Sequence, residues 1–137
     1  MGNVSCDKFT RFLDGKDIRY SRRNDSCISI GWDDLKNIKS VAVIISFDED
    51  GKRVELRSYS VGSFKDELFT KGLIACNEVN KKYRWVKFYL DDDQDVVATD
   101  DAVIDSRTSD DECFELMIRM MSIIDESYPT FMRARFS

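Results

Sequence analysis

The chain has 137 residues, 42% of them hydrophobic and 34% charged, with one proline and six glycines. That length and balance fit one domain spanning 1–137 with a real core, and exclude a disordered chain or a long linker. A net charge of −5 counts against nucleic-acid binding, which needs a positive field, and the lack of histidine removes the commonest general base near neutral pH and the commonest zinc ligand.

Residues 4–13 read as a short helix with Val4, Phe9, Phe12 and Leu13 on one side, stopped by Asp14-Gly15. Residues 18–20 suit a short extended piece, and 22–26 (Arg-Arg-Asn-Asp-Ser) a turn. In 27–32 the side chains Ile28, Ile30 and Trp32 alternate with small residues, which predicts a half-buried strand. Residues 33–39 are a polar connection anchored by Leu35 and Ile38. Residues 41–47 are apolar on both faces, as in strands covered on both sides. Asp50-Gly51 turns that strand into a second one over 53–61, in which Val54 and Leu56 alternate with Glu55 and Arg57.

The spacing of Phe64, Leu68, Ala75 and Val79, widened by Phe69, Leu73, Ile74 and Cys76, predicts a helix over 64–83, capped by Ser63 and ended near Lys81-Lys82. Gly72 inside it costs about 1 kcal/mol against alanine, which implies close approach of another backbone. Residues 85–91 form a strand with Val86, Phe88 and Leu90 on one face and Trp85, Lys87 and Tyr89 on the other. An acidic turn at 92–95 leads to a returning strand over Val96–Val103. Ser109 and Glu112 form a capping box for a last helix whose stripe is Phe114, Met117, Ile118, Met121, Ile124 and Tyr128. Pro129 ends or kinks it, and 130–136 follow as a short turn or helix.

Charge is uneven: residues 86–113 carry ten acids and two bases, net −8, leaving +3 for the rest. Solvated turns or a contact for a basic partner explain this lobe. The four cysteines, Cys6, Cys27, Cys76 and Cys113, show no C-x-x-C pairing and read as buried free thiols of a reducing compartment. Asp91 to Asp95 imitates a calcium loop for five residues, but Val96 stands where glycine is needed and Ala102 where the closing glutamate is needed. No metal and no cofactor is expected. Phosphate-loop, dinucleotide and nucleophile-elbow motifs are missing, and Asp33-Asp34 or Asp100-Asp101 would point to opposite faces of a strand. Asn77 and Asn80 near a helix end suit the satisfaction of backbone groups where the chain turns into the next strand. No apolar stretch approaches the roughly 20 residues of a membrane span, nor does a basic-then-apolar leader open the chain; the myristoylation signal that Met1-Gly2 would open needs Ser or Thr at the sixth position, where Cys6 stands and Ser5 comes one place early. A cytoplasmic protein is expected.

In normal register Ile44, Tyr59, Trp85 and Tyr89 point away from Val43, Val54, Val86 and Phe88. That second face is either covered by the chain's own helices or is a partner-binding surface for a second copy or a peptide. Arg19, Arg22, Arg23, Arg53 and Arg57 could gather on one side of the sheet, which is the alternative: a regulator binding a small ligand or nucleic acid.

The runs at 74–80 (Ile-Ala-Cys-Asn-Glu-Val-Asn), 83–89 (Tyr-Arg-Trp-Val-Lys-Phe-Tyr) and 96–98, with the ending at 123–129 (Ile-Ile-Asp-Glu-Ser-Tyr-Pro), resemble the YbjN family of bacterial sensory transduction regulators. The likeness covers 64–131 by motif and the first 60 residues by element order. It implies an α+β fold similar to class I type III secretion chaperones, which are non-enzymatic homodimers that hold partner polypeptides. It brings no catalytic residues. The expectation is therefore an antiparallel sheet of about five strands with three helices. Its expected function is non-enzymatic protein binding by a homodimer through an apolar sheet and helix surface, chaperone-like or regulatory.

Overall fold

The computed structural model describes residues 3–137. In chain order it contains α1 (Val4–Gly15), β1 (Ser21–Asn24), β2 (Cys27–Asp33), β3 (Ser40–Phe47), β4 (Arg53–Ser58), α2 (Phe69–Lys82), β5 (Lys87–Leu90), β6 (Val96–Val103) and α3 (Ser109–Phe136). The strands form one six-stranded antiparallel sheet in the order β1-β2-β3-β4-β6-β5, one strand more than expected.

One face of this sheet carries the core. Register aligns Ile28, Ile45 and Leu56 in one row, and Ile30, Val43, Ser58, Ala98 and Phe88 in the next. All are buried. Against them lie α1 through Cys6, Phe9 and Leu13, α2 through Ala75, Cys76 and Val79, and α3 through Met117, Met120, Ile124 and Phe131. Each large side chain so buried contributes roughly 1.5–3 kcal/mol. Asn3 caps α1 by accepting from the Cys6 N–H at 3.0 Å, while its amide donates to the Asp48 carbonyl at 2.7 Å and Ser5 Oγ donates to Gly51 O at 2.8 Å. The start of α1 is thereby fastened to the β3–β4 turn, where Gly51 has a φ of 71° and the Asp50-Gly51 signal holds.

Several local expectations change in three dimensions. Residues 22–24 belong to strand β1, and the turn is confined to Asp25-Ser26; pairing with β2 overrides the local turn signal. Residue 64 does not begin a helix. Phe64 is fully buried ahead of a single 3-10 turn at Asp66–Leu68. Ser63 caps nothing: it forms a β-bridge with Asp95, and its hydroxyl donates to that carboxylate. Leu73 and Ile74, expected in the stripe of α2, are exposed. Gly72 is approached by a side chain, since a Cβ there would lie 2.7 Å from both Cβ and Cγ of Phe64. β3 is inside the sheet as its composition suggests, yet only one face is covered: Val41, Val43, Ile45 and Phe47 are buried while Ala42 is exposed and Ile44 half-buried.

The last helix is rotated from its expected stripe. Cys113, Met117, Met120, Ile123, Ile124 and Phe131 are buried, and Phe114, Ile118, Met121 and Tyr128 lie at the margin. Ser109 is buried inside the first turn. Glu112 Oε1 accepts from Thr108 Oγ1 at 2.8 Å and from the Asp105 N–H at 3.2 Å, so the capping box is replaced by a tie to the preceding loop. Pro129 sits inside α3, which runs 28 residues. Proline has no N–H to give the carbonyl four residues back. That carbonyl, of Asp125, accepts from Asn37 Nδ2 at 3.2 Å, and Asp125 Oδ1 takes the Asn37 and Ile38 N–H groups at 2.7 and 3.0 Å. The β2–β3 loop thus satisfies what the proline leaves open.

Candidate functional site: the uncovered face of the sheet

All three helices pack on the core side, so the opposite face is not covered by the chain's own helices. Its composition follows from the pairing. One row runs Ser29, Ile44, Arg57, Thr99, Lys87 across β2, β3, β4, β6 and β5. The next holds Gly31 paired with Ala42, and Val97 paired with Tyr89. Tyr59 follows Ser58, the last residue of β4, and so falls beside Val97. A third row runs Cys27, Ser46, Glu55, Asp101.

Tyr59 is 49% exposed and Tyr89 46%, whereas Val97 between them is 1% exposed. The two phenol rings form a ridge with an apolar floor. Beside it, toward β2, the side chains shrink: Gly31, Ser40 and Ala42 are exposed and, with Ser60, line a shallow depression of about 320 Å³. Glycine inside a strand costs roughly 0.5–1 kcal/mol. At Gly31 nothing in this chain asks for it, since a Cβ would meet only the Val41 carbonyl at 3.8 Å.

The charges of this face are paired. The Arg57 guanidinium reaches Asp101 Oδ1 at 2.9 Å and Glu55 Oε2 at 3.4 Å, which holds it along the sheet. Such exposed pairs add little stability, roughly 0–1 kcal/mol, but they leave no free charge in the centre. Arg53 pairs with Asp48 at 2.7 Å and Asp50 at 3.4 Å, and Arg22 with Asp7 at 2.7 Å. The hydrogen bond that Arg22 donates to Asp7 raises the Arg22 pKa further. The arginines expected to gather are instead spread from β1 to β4, and Arg22, Arg53 and Arg57 are each matched by acids.

Of the four residues singled out from the sequence, Ile44, Tyr59 and Tyr89 lie on the uncovered face. Trp85 does not join them. Val86 takes a left-handed φ of 63° and breaks the strand alternation, β5 begins at Lys87, and the Trp85 ring lies under the Arg119 guanidinium of α3 at 4.7 Å. Val97, Gly31 and Ala42 were missed by sequence reasoning. A glycine in the middle of an alternating strand was the signal available for Gly31; nothing local marks Val97.

Both edges of the sheet are closed. On β5 the Asn80 side chain accepts from the Phe88 N–H at 2.8 Å and donates to the Phe88 carbonyl at 3.0 Å, the role read for this amide. Lys87 Nζ covers the Tyr83 and Asn80 carbonyls at 2.7 and 3.0 Å. On β1 the strand is four residues long, its register shifts at Arg23, and its side chains are all exposed, two of them arginine. Short length, a bulge and charge are the devices that discourage strand addition.

Three other groups of ionisable side chains lie outside this face. Asp91, Asp93 and Asp95 bring their carboxylates within 4.8 Å of one another. Asp91 Oδ1 already accepts the Asp93 and Asp95 N–H groups at 3.0 and 2.9 Å, and Asp95 accepts from Ser63; they build the hairpin turn. Asp100 faces the helix side. Burial pushes its carboxyl up, Arg119 and Arg57 oppose this, Asp101 adds to it, and Oδ2 is buried without a partner among the described residues. Burial also pushes the Cys113 thiol up to about 12 and Cys76 to about 11, so both stay protonated at neutral pH and act as packing groups. No described helix is long and apolar enough to cross a membrane.

A family model described as "Putative bacterial sensory transduction regulator", YbjN, matches residues 5–133. Among solved structures, "YbjN, a putative transcription regulator from E. coli" superposes with a TM-score of 0.66 over 90% of this chain and 87% of that one, at 11% identity, a likeness of fold. No curated protein matches significantly.

Proposed function

The chain belongs to the YbjN family, and from that premise we propose that it is a non-enzymatic regulatory domain of the cytoplasm that binds another polypeptide on the bare face of its sheet. One observation carries this reading: a six-stranded sheet keeps one face free of its own helices, with Ile44, Tyr59, Val97 and Tyr89 on it, while both edges are closed to strand pairing. Aromatic side chains with a polar tip over a water-excluding floor are the composition of protein-recognition surfaces. Acid–base work draws no support from the arrangement: Asp48, Glu55 and Asp101 line an open depression of about 340 Å³ with Arg53, but each is paired with Arg53 or Arg57.

Site-specific photo-crosslinking in a bacterial host tests it. A photoreactive residue in place of Ile44, Tyr59 or Tyr89 should yield discrete protein–protein adducts, and one in place of the exposed Leu73 on α2 should not. Equal yields at all positions, or adducts to nucleic acid alone, would refute the reading.

A further inference from the structure

The bare face has a ridge and a depression side by side, and its lattice of residues is nearly its own complement. Place a two-fold axis in the plane between two such faces, parallel to the strands and running between β3 and β4. Each strand then lies over its mirror position in the order β1-β2-β3-β4-β6-β5: β3 over β4, β2 over β6, β1 over β5. Within the row that holds Gly31 and Ala42, Ala42 of one copy meets Tyr59 of the other, and Gly31 meets Val97. In the neighbouring row Ile44 meets the stem of Arg57, and Ser29 meets Thr99. In the third, Cys27 meets Asp101 and Ser46 meets Glu55. No like charges face each other. At the centre the large Tyr59 of one copy falls on the small Ala42 of the other, and the two-fold repeats that match as an isologous interface requires.

We infer that the polypeptide seated on this face is a second copy of the chain, with the Tyr59 ring of each copy lodged in the depression lined by Gly31, Ser40 and Ala42 of the other. This rests on the functional reading above and names its partner. Gly31 supplies the independent argument. It lies mid-strand, makes no tight contact within its own chain, and has no left-handed φ to demand glycine. Glycine in such a place marks close approach by another surface. The closed edges leave the face as the route by which two sheets can meet.

The test uses the whole chain with Cys27→Ser to remove the half-exposed thiol of this face. Ser29→Cys and Thr99→Cys, which face each other across the axis, are made separately. Mixed and treated with a bismaleimide of about 10 Å reach, the spacing of stacked sheets, they should crosslink in high yield, while neither does so comparably alone because like positions lie three strands apart. Sedimentation at tens of micromolar should give a dimer, and Ala42→Arg should weaken it by roughly thirtyfold or more, the size of a central hot-spot loss, with an unchanged melting temperature once both proteins are diluted to monomers, because Ala42 is exposed in the free chain. A strict monomer, a dimer indifferent to Ala42→Arg, or equal crosslink yields from like and unlike partners would overturn the inference. If photo-crosslinks from Ile44 or Tyr89 reach other polypeptides while the chain sediments as a monomer, the protein-binding reading stands and the self-pairing falls.

Discussion

Replacing Asn80 by alanine removes the two hydrogen bonds that join the outer edge of β5 to α2, from the Phe88 N–H at 2.8 Å and to the Phe88 carbonyl at 3.0 Å. A net hydrogen bond contributes about 0.5–1.5 kcal/mol. Asn80 is half-buried, so water can reach the vacated groups and spare most of the penalty for an orphaned polar atom; the pair is then worth about 2 kcal/mol. Alanine returns about 0.5 kcal/mol through its higher helix propensity. The expected loss is about 1.5 kcal/mol, and with a urea slope of 1–3 kcal/mol/M the midpoint falls by roughly 0.5–1.5 M. Amide exchange gives the residue-level readout, because the Phe88 N–H points away from β6 and depends on Asn80 for protection. It should exchange much faster in Asn80→Ala while the Val97 amide changes only in proportion to global stability. Asn80→Asp keeps the acceptor but turns an oxygen toward the Phe88 carbonyl, so Phe88 stays protected and the protein is still destabilised. A midpoint within about 0.3 M of wild type, with Phe88 protection unchanged in Asn80→Ala, would refute the account of how this edge is closed.

Two glycines should respond oppositely. Gly72→Ala gains about 1 kcal/mol of helix propensity but drives a methyl to 2.7 Å from Phe64, with Leu90 Cδ1 at 3.0 Å; overpacking of about 1–3 kcal/mol should win and lower the melting temperature by several degrees in a calorimetric scan. Gly31→Ala, with 3.8 Å of room in its own chain, should melt at or slightly above its parent when both carry Ala42→Arg to keep the chain monomeric. For Asp100, burial raises the folded pKa above the unfolded value near 3.8. Its favourable contribution is therefore complete below pH 3.8 and is lost as the pH rises through the folded pKa. Asp100→Asn should stabilise the protein at pH 7, with the gain shrinking toward zero in denaturation curves taken below pH 3.8; a gain that grows on acidification would contradict the sign.

Much of the site was legible because strand alternation is a local property. Ile44, Tyr59 and Tyr89 could be assigned to the second face from parity alone, and Asn80 from its place where a helix turns into a strand. Trp85 shows the limit of that logic. Parity carries a side chain to a face only while the backbone stays extended, and the left-handed turn at Val86 interrupts it. Arg119, which covers Trp85, lies 34 positions away and has no local mark (119 − 85). Val97 looked like any strand valine. It is floor on the bare face because Tyr59 and Tyr89 arrive from two other strands.

Composition and periodicity determined the α+β class, the order of elements, the turn at Asp50-Gly51 and the bounds of Val96–Val103, because each depends on propensities within a few residues. Only tertiary structure decided which side of the sheet the helices take, where α2 begins, how α3 is rotated, and whether Pro129 stops it. Those outcomes rest on partners distant in sequence. Asn37 supplies the bond that Pro129 withholds from Asp125, and pairing with β2 makes a strand of residues whose own preference is a turn. The bare face is the same kind of result: it exists because all three helices bury their apolar stripes against one side, which no single segment specifies.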